Sequence, residues 1–339
     1  FQATTDGSIP KENISVVLNG VDYTSQLQID GNEQTWNVSL TTLQANSVYK
    51  GEVLVRGSSG GSISGLLSFD TFATDNFTFE AEDWNFDNGE FINNPILDFG
   101  ANSYFAKGEL TDTEGIDFHE LSVEFDPANV DPWRLPFVNM PNTVLNNNEA
   151  GRSKYEAAPD ADFDVNATQA DEWLNYTRNF STGEANLYLR ANGGGYEVQL
   201  DRVTSNASQP DQTIEKLGSF KSLGGGGYNY IALTDDSGRL AEMELNGEMT
   251  LRATILSGAP ALNFFMVTPA VEVVGPNPTP VDTVLSVSSI GNQITISWAE
   301  GGTLESVADL GSGTWNAVNG ASSPYTTDAS AAQQYFRVR

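Results

Sequence analysis

The stretch "DEWLNYTRNFSTGEANLYLRANGGGYEVQLDRV", residues 171–203, decides the fold. In its first ten residues Trp173, Asn175, Thr177 and Asn179 fall on one side, and Leu174, Tyr176, Arg178 and Phe180 on the other. That is the two-residue period of an extended strand. A turn is expected at "STGE", then a second strand at "ANLYLRA" (185–191) and a third at "GYEVQLDRV" (195–203). The alternation returns in "YNYIALT" (228–234), "EMTLRATIL" (248–256) and "ALNFFMV" (261–267). No helical spacing intervenes, and hairpin following hairpin predicts an antiparallel β-sandwich.

Both flanks show the same habit. Residues 1–75 hold short alternating segments, "NISVVLNG", "QTWNVSL" and "YKGEVLVRG", divided by Gly, Asn and Ser. They predict a small β-sandwich, and the segment resembles an immunoglobulin-like or fibronectin-like spacer. Asn19-Gly20 is a strong hairpin signal, because both residues tolerate the positive φ of a type I′ turn. The central unit runs over 76–274 and carries an insertion at about 91–159, where Pro132, Pro136 and Pro141 break regular structure. "GPNPTPVDT" (275–283) reads as a Pro-rich linker. Residues 284–339 predict a small C-terminal β domain with Trp298 as a core anchor. The expected class is all-β, with three tandem antiparallel sandwiches.

The 339 residues carry 45 acids against 16 bases, a net charge of −29, of which −22 falls on 76–283. Such a field opposes nucleic acid and anionic membrane surfaces and leaves neutral or cationic ligands. There is no Cys, so disulfides and thiolate metal sites are excluded. No apolar run approaches the roughly 20 residues that span a bilayer. The single histidine, His119, has no nucleophile motif beside it, and "GGGG" (224–227) lacks the strand-to-helix context of a phosphate loop, so it predicts a hairpin turn.

"FTFEAEDWNF" (77–86) is the chemically pointed stretch. Residues two apart share a strand face, so Glu80 and Glu82 project together, with Asp83 beside them. Either they face water on an exposed strand or they share one hard cation, since carboxylate oxygens are the natural ligands of Ca²⁺.

Taken in order, "FEAEDW" (79–84), "DEWLNYTRNF", "ANLYLRANGGGYEVQLDRV", "LGSF" (217–220), "GGGYNYIALT" (225–234) and "MTLRATILSGAPALNFFMV" (249–267) resemble the carbohydrate-binding modules of family six and their close relatives. The resemblance covers about 76–90 and 160–270. It implies a jelly-roll-like central sandwich and a structural Ca²⁺ held by Glu80 and Glu82, with Asn263 as a further ligand. It also implies a core role for Trp173. For the sugar it implies a stacking aromatic at Tyr228 or Tyr230, one of the two exposed and the other in the core, and a second aromatic near Tyr155. Trp133 is a candidate from the insertion. For Tyr155 and Trp133, packing of an irregular loop is the competing role. The chain departs from the family pattern at Ala261, where a sugar-contacting Asn often stands, and in the insertion.

The function so expected is non-catalytic binding of a polysaccharide or glycan by a secreted or cell-surface multimodular protein with structural calcium. The alternative is a structural subunit of an extracellular fibre, surface layer or adhesin stalk, in which copies of the chain pair with one another, for example through the terminal strand "QQYFRVR".

Overall fold

The computed structural model describes residues 1–95, 103–104, 112–121, 141–145, 162–224, 227–270, 285–290, 293–298, 303–308, 315–318, 320–328 and 334–338. All named strand pairs are antiparallel, and the described helical residues form two 3₁₀ turns. The chain forms two compact units, Phe1–Pro280 and Val281–Arg339. Tyr155, Trp133, most of the insertion and the Pro-rich linker lie outside the described residues.

The first 75 residues hold β1 (Gln2–Thr4), β2 (Ile14–Leu18), β3 (Val21–Asp22), β4 (Gln28–Asn32), β5 (Thr35–Ser39), β6 (Val48–Arg56) and β7 (Ser62–Asp70). One sheet runs β1-β5-β4 and the other β3-β2-β6-β7. Asn19 (φ 48°) and Gly20 (φ 75°) turn β2 into β3 as the Asn-Gly pair predicts. The apolar residues of the alternating pattern, Ile14, Val16, Leu18, Ile29, Val38, Tyr49 and Val55, are buried between the sheets.

The central sandwich comprises β8 (Phe77–Glu80), β9 (Phe118–His119), β10 (Asn142–Leu145), β11 (Phe163–Asn166), β12 (Trp173–Asn192), β13 (Gly195–Ser205), β14 (Thr213–Leu223), β15 (Tyr228–Thr234), β16 (Met243–Ser257) and β17 (Ala261–Pro269). The turn expected at "STGE" is absent: β12 is one strand of 20 residues. Its first half pairs with β16 and its second half with β15 and β17, with a register shift between Phe180 and Gly183. The extra residues of a bulge bend a strand instead of reversing it, so the chain passes from one layer to the other without a hairpin. Pairings β12–β15–β14–β13–β16–β12 close on themselves, and β8, β11 and β10 extend the β17 side. Between the layers lies a core of Phe79, Trp84, Leu174, Tyr176, Leu187, Leu189, Val198, Leu200, Phe220, Leu251, Leu262 and Phe265. Full burial of each such side chain contributes about 1.5–3 kcal/mol.

The first module docks on this sandwich. Phe72, the second residue after β7, is 7% exposed and meets Tyr188 edge-on at 4.7 Å and Tyr230 at 5.2 Å. The Tyr188 hydroxyl donates to the Asn46 carbonyl at 3.1 Å, and Asn76 Nδ2 donates to Asn46 Oδ1 at 2.9 Å. Residues 1–75 thus share a packed, hydrogen-bonded face with the central sheet.

The second unit holds β18 (Ser286–Ile290), β19 (Gln293–Ser297), β20 (Leu304–Val307), β21 (Asn316–Ala317), β22 (Tyr325–Asp328) and β23 (Tyr335–Val338), in sheets β18-β19-β22 and β21-β20-β23. Trp298 is buried with Ile296 and Leu304, the anchor its sequence suggests.

Candidate functional site

Glu80 and Glu82 do not face water. β8 pairs with β17 through Phe79↔Phe265 and Glu80↔Phe264, which turns Phe79 into the core and Glu80 to the opposite side of the sheet. The following segment is sewn down on the β12 side. Tyr176 donates its hydroxyl to the Ala81 carbonyl at 2.9 Å, Arg178 Nη2 donates to the Asp83 carbonyl at 2.9 Å, and Asn85 brackets Thr177 with its side-chain amide. Every residue from Phe79 to Phe86 is buried, with Glu80 at 4%, Glu82 at 3% and Asp83 at 0% exposure.

Two more acids reach this region on β11 and the residue before it, Asp162 (1% exposed) and Asp164 (4%). Burial pushes the Glu82 carboxyl well above the ordinary carboxylate range, and the neighbouring charges of Glu80, Asp83 and Asp162 push it further. Glu82 Oε2 is buried and accepts no hydrogen bond among the described residues. Closely grouped buried carboxylates either hold protons or meet a cation, because isolated ionised groups at low dielectric cost several kcal/mol each. Among the described residues, no three Asp, Glu, His or Cys side chains stand close enough together to hold a metal ion by themselves.

Asn263 lies at a second bulge. Arg190 pairs with Phe264 and Ala191 with Leu262, so Asn263 has no partner position on β12 and its side chain is re-aimed toward β11. Its Nδ2 donates to Asp162 Oδ1 at 2.9 Å and to the Phe163 carbonyl at 3.1 Å, while its Oδ1 accepts from Arg190 Nη1. The structure therefore brings Asn263 to the acidic group through Asp162, with its oxygen turned to Arg190.

Arg190 links this group to the aromatics. The residue is 2% exposed, and its guanidinium sits 4.5 Å from the centroid of the Tyr228 ring. The Tyr228 hydroxyl donates to Asp164 Oδ2. Burial, then the Asp164 carboxylate, raises the Tyr228 hydroxyl far above its ordinary value, so it remains a donor at any physiological pH.

Tyr228 and Tyr230 are both half-buried, which corrects the expectation of one exposed and one core ring. Residues two apart in a strand share a face, and here that face also holds Arg190 and Phe264. They differ in what covers them: Tyr230 is wedged between Phe72 and Phe264 at 5.2 and 6.0 Å, whereas Tyr228 lies on Arg190. Trp173 is also not a core residue. It is half-buried on the outer face of the other layer, with the Arg252 guanidinium 3.7 Å from its ring centroid, and its neighbours Leu174 and Tyr176 fill the core instead.

Arg190, Asp162 and Asp164 were not singled out by the sequence reading. Their signal is there in part: Asp162 and Asp164 alternate with Phe163 in "DFD", and Arg190 alternates with Leu187, Leu189 and Ala191 in "ANLYLRA".

No family model and no curated protein matches the chain. Solved structures that match include carbohydrate-binding modules. They include CsCBM6-3 of Clostridium stercorarium in complex with cellobiose (15% identity, 39% of this chain and 85% of that one, TM-score 0.28). The module CBM6cm-2 from Cellvibrio mixtus lichenase 5A in complex with cellotriose matches with 16% identity over 38% of this chain and 87% of that one, TM-score 0.27. A family 35 carbohydrate binding module from Clostridium thermocellum matches with 16% identity over 38% of this chain and 89% of that one, TM-score 0.26.

Proposed function

We propose that the central sandwich binds carbohydrate without catalysis, in a protein that works outside the cell, and that Tyr228 is its stacking platform. The observation that carries this reading is the clamping of a half-exposed ring: Arg190 holds it from one side and Asp164 holds its hydroxyl. A pyranose packs its axial C–H groups on such a ring, and the neighbouring polar groups take its hydroxyls. An aromatic fixed in advance loses little conformational freedom when the sugar arrives. Tyr230 serves this reading as a support, since its ring already packs on Phe72 and Phe264. The "FEAEDW"-to-"ALNFFMV" series of motifs falls on one sandwich, with its first and last members paired as β8 and β17.

Glu80 and Glu82 are the proposed ligands of a structural Ca²⁺. The fit rests on donor chemistry: hard carboxylate oxygens grouped in a buried place, one of them, Glu82 Oε2, without a hydrogen-bond partner among the described residues. Two carboxylates are a partial set for an ion that takes 6–8 oxygens, and main-chain carbonyls and water complete such sets elsewhere. The ion would neutralise the acids and tie the β8 end to the β11 side.

Affinity electrophoresis in gels containing neutral polysaccharides tests the binding. Retardation by at least one polysaccharide, abolished in Tyr228→Ala, is expected; migration unaffected by every polysaccharide rules the reading out.

A further inference from the structure

Among the described residues, one margin of the N-terminal sandwich carries no strand. β7 ends its sheet: all nine residues pair with β6 in unbroken register, and no described strand pairs along its other side. Exposed edges are normally guarded by Lys, Pro, a bulge or an inward charge, because their unpaired N–H and C=O groups recruit another strand. From Ser62 to Phe69 this edge has none of these. Instead it displays Leu66, 90% exposed, and Ile63, 72% exposed, the two most exposed large apolar side chains of the described residues.

We infer that β7 pairs antiparallel with β7 of a second copy of this chain, about a twofold axis at Leu66. A twofold contact must be self-complementary, and this register is. It sets Leu66 against Leu66 and Ser64 against Ser68 on the outer face. On the inner face it sets Gly65 against Leu67 and the exposed Ile63 against Phe69, small against large. The charges at the two ends also match. Asp70 of one copy falls opposite Ser62 of the other, whose own neighbour on β6 is the exposed Arg56. At the usual strand spacing Asp70 and that Arg56 are about 10 Å apart at Cα, on the same face, with only a serine between them. In a chain of net charge −29, a strand whose one charge, Asp70, comes to the Arg56 end of the other copy's β6 is a place where two copies meet without like charges opposed. The two four-stranded sheets then become one of eight. A single strand pair buries less than the roughly 1,000 Å² of a stable interface, so the dimer belongs to the weak, concentration-dependent class. The inference stands apart from the saccharide reading and names a different strand from the terminal "QQYFRVR".

Sedimentation velocity on the full chain across a concentration series tests it. The mass should rise from 36.5 kDa toward twice that value, and Leu66→Lys should hold the chain at the monomer mass with an unchanged melting temperature. Because the chain has no Cys, the register is read directly. Ser64→Cys mixed with Ser68→Cys should oxidise to a disulfide-linked dimer, and neither variant should do so alone, since its two copies of the same position lie beyond disulfide reach. A monomer at every concentration overturns the inference, including the case in which β7 serves only a foreign strand. So does a dimer that survives Leu66→Lys or fails to cross-link between positions 64 and 68.

Discussion

The Arg190 guanidinium lies 4.5 Å from the centre of the Tyr228 ring while its Nη1 donates to the side-chain oxygen of Asn263. One buried cation thus joins the aromatic surface to the acidic group. Arg190→Ala should loosen the Tyr228 ring and leave the Asn263 side-chain oxygen without its donor. We expect saccharide affinity to fall about tenfold, and stability to fall by about 3–5 kcal/mol, the range for breaking a buried charge arrangement from one side. Titration calorimetry and denaturant melts check the two effects separately.

Calcium removal makes a second prediction. A ligand bound only to the folded state stabilises it by mass action, by about 2.7 kcal/mol when its concentration is 100 times Kd. Chelation with EDTA should lower the melting temperature of the wild-type chain, and added Ca²⁺ should restore it. In Glu82→Gln the melting curve should no longer respond to either. A wild-type curve indifferent to EDTA and Ca²⁺ would count against the ion.

Phe72 predicts how the first two modules unfold. Its ring is buried against Tyr188 and Tyr230, and truncating a buried Phe typically costs about 3–5 kcal/mol. Calorimetry should show residues 1–75 and the central sandwich melting together in the wild type and separately in Phe72→Ala. Two resolved transitions in the wild type would show that the contact does not couple them.

Gly51 is required by close approach. A Cβ there would lie 1.9 Å from the Val17 carbonyl oxygen and 2.8 Å from Leu18 Cα, backbone atoms that move only if β2 and β6 part. Gly51→Ala should destabilise the N-terminal sandwich by more than about 1 kcal/mol, against the gain of several tenths that Gly→Ala gives in a tolerant strand. Urea denaturation checks it.

The fold was legible wherever period-two patterning and turn chemistry act locally. The alternation of Leu174, Tyr176 and Phe180 marks the core side of β12, Asn19-Gly20 marks a hairpin, and Trp298 marks a small core. What escaped depends on contacts distant in sequence. "STGE" has the composition of a turn, yet tertiary pairing with β16 and then β17 keeps the strand extended through it. Trp173 looks like an anchor, but its parity on the strand sends it outward to Arg252. The docking of Phe72 on Tyr230 joins positions 158 residues apart in a pair that no periodicity announces. At the site, Glu80 and Glu82 were visible as a pair, whereas their company, Asp162, Asp164 and Arg190, is assembled by the β8–β17–β11 arrangement and the bulge at Asn263.

The most direct measurement is the affinity of wild type, Tyr228→Phe and Tyr228→Ala, by titration calorimetry with oligosaccharides of whichever polysaccharide retards the protein. The account predicts a loss of more than tenfold in Tyr228→Ala at unchanged fold. In Tyr228→Phe it predicts a smaller loss, on the order of the 1 kcal/mol of one hydrogen bond, because the ring stays and only its anchor to Asp164 goes. Equal affinity in all three proteins would place the sugar elsewhere and contradict the role given to Tyr228.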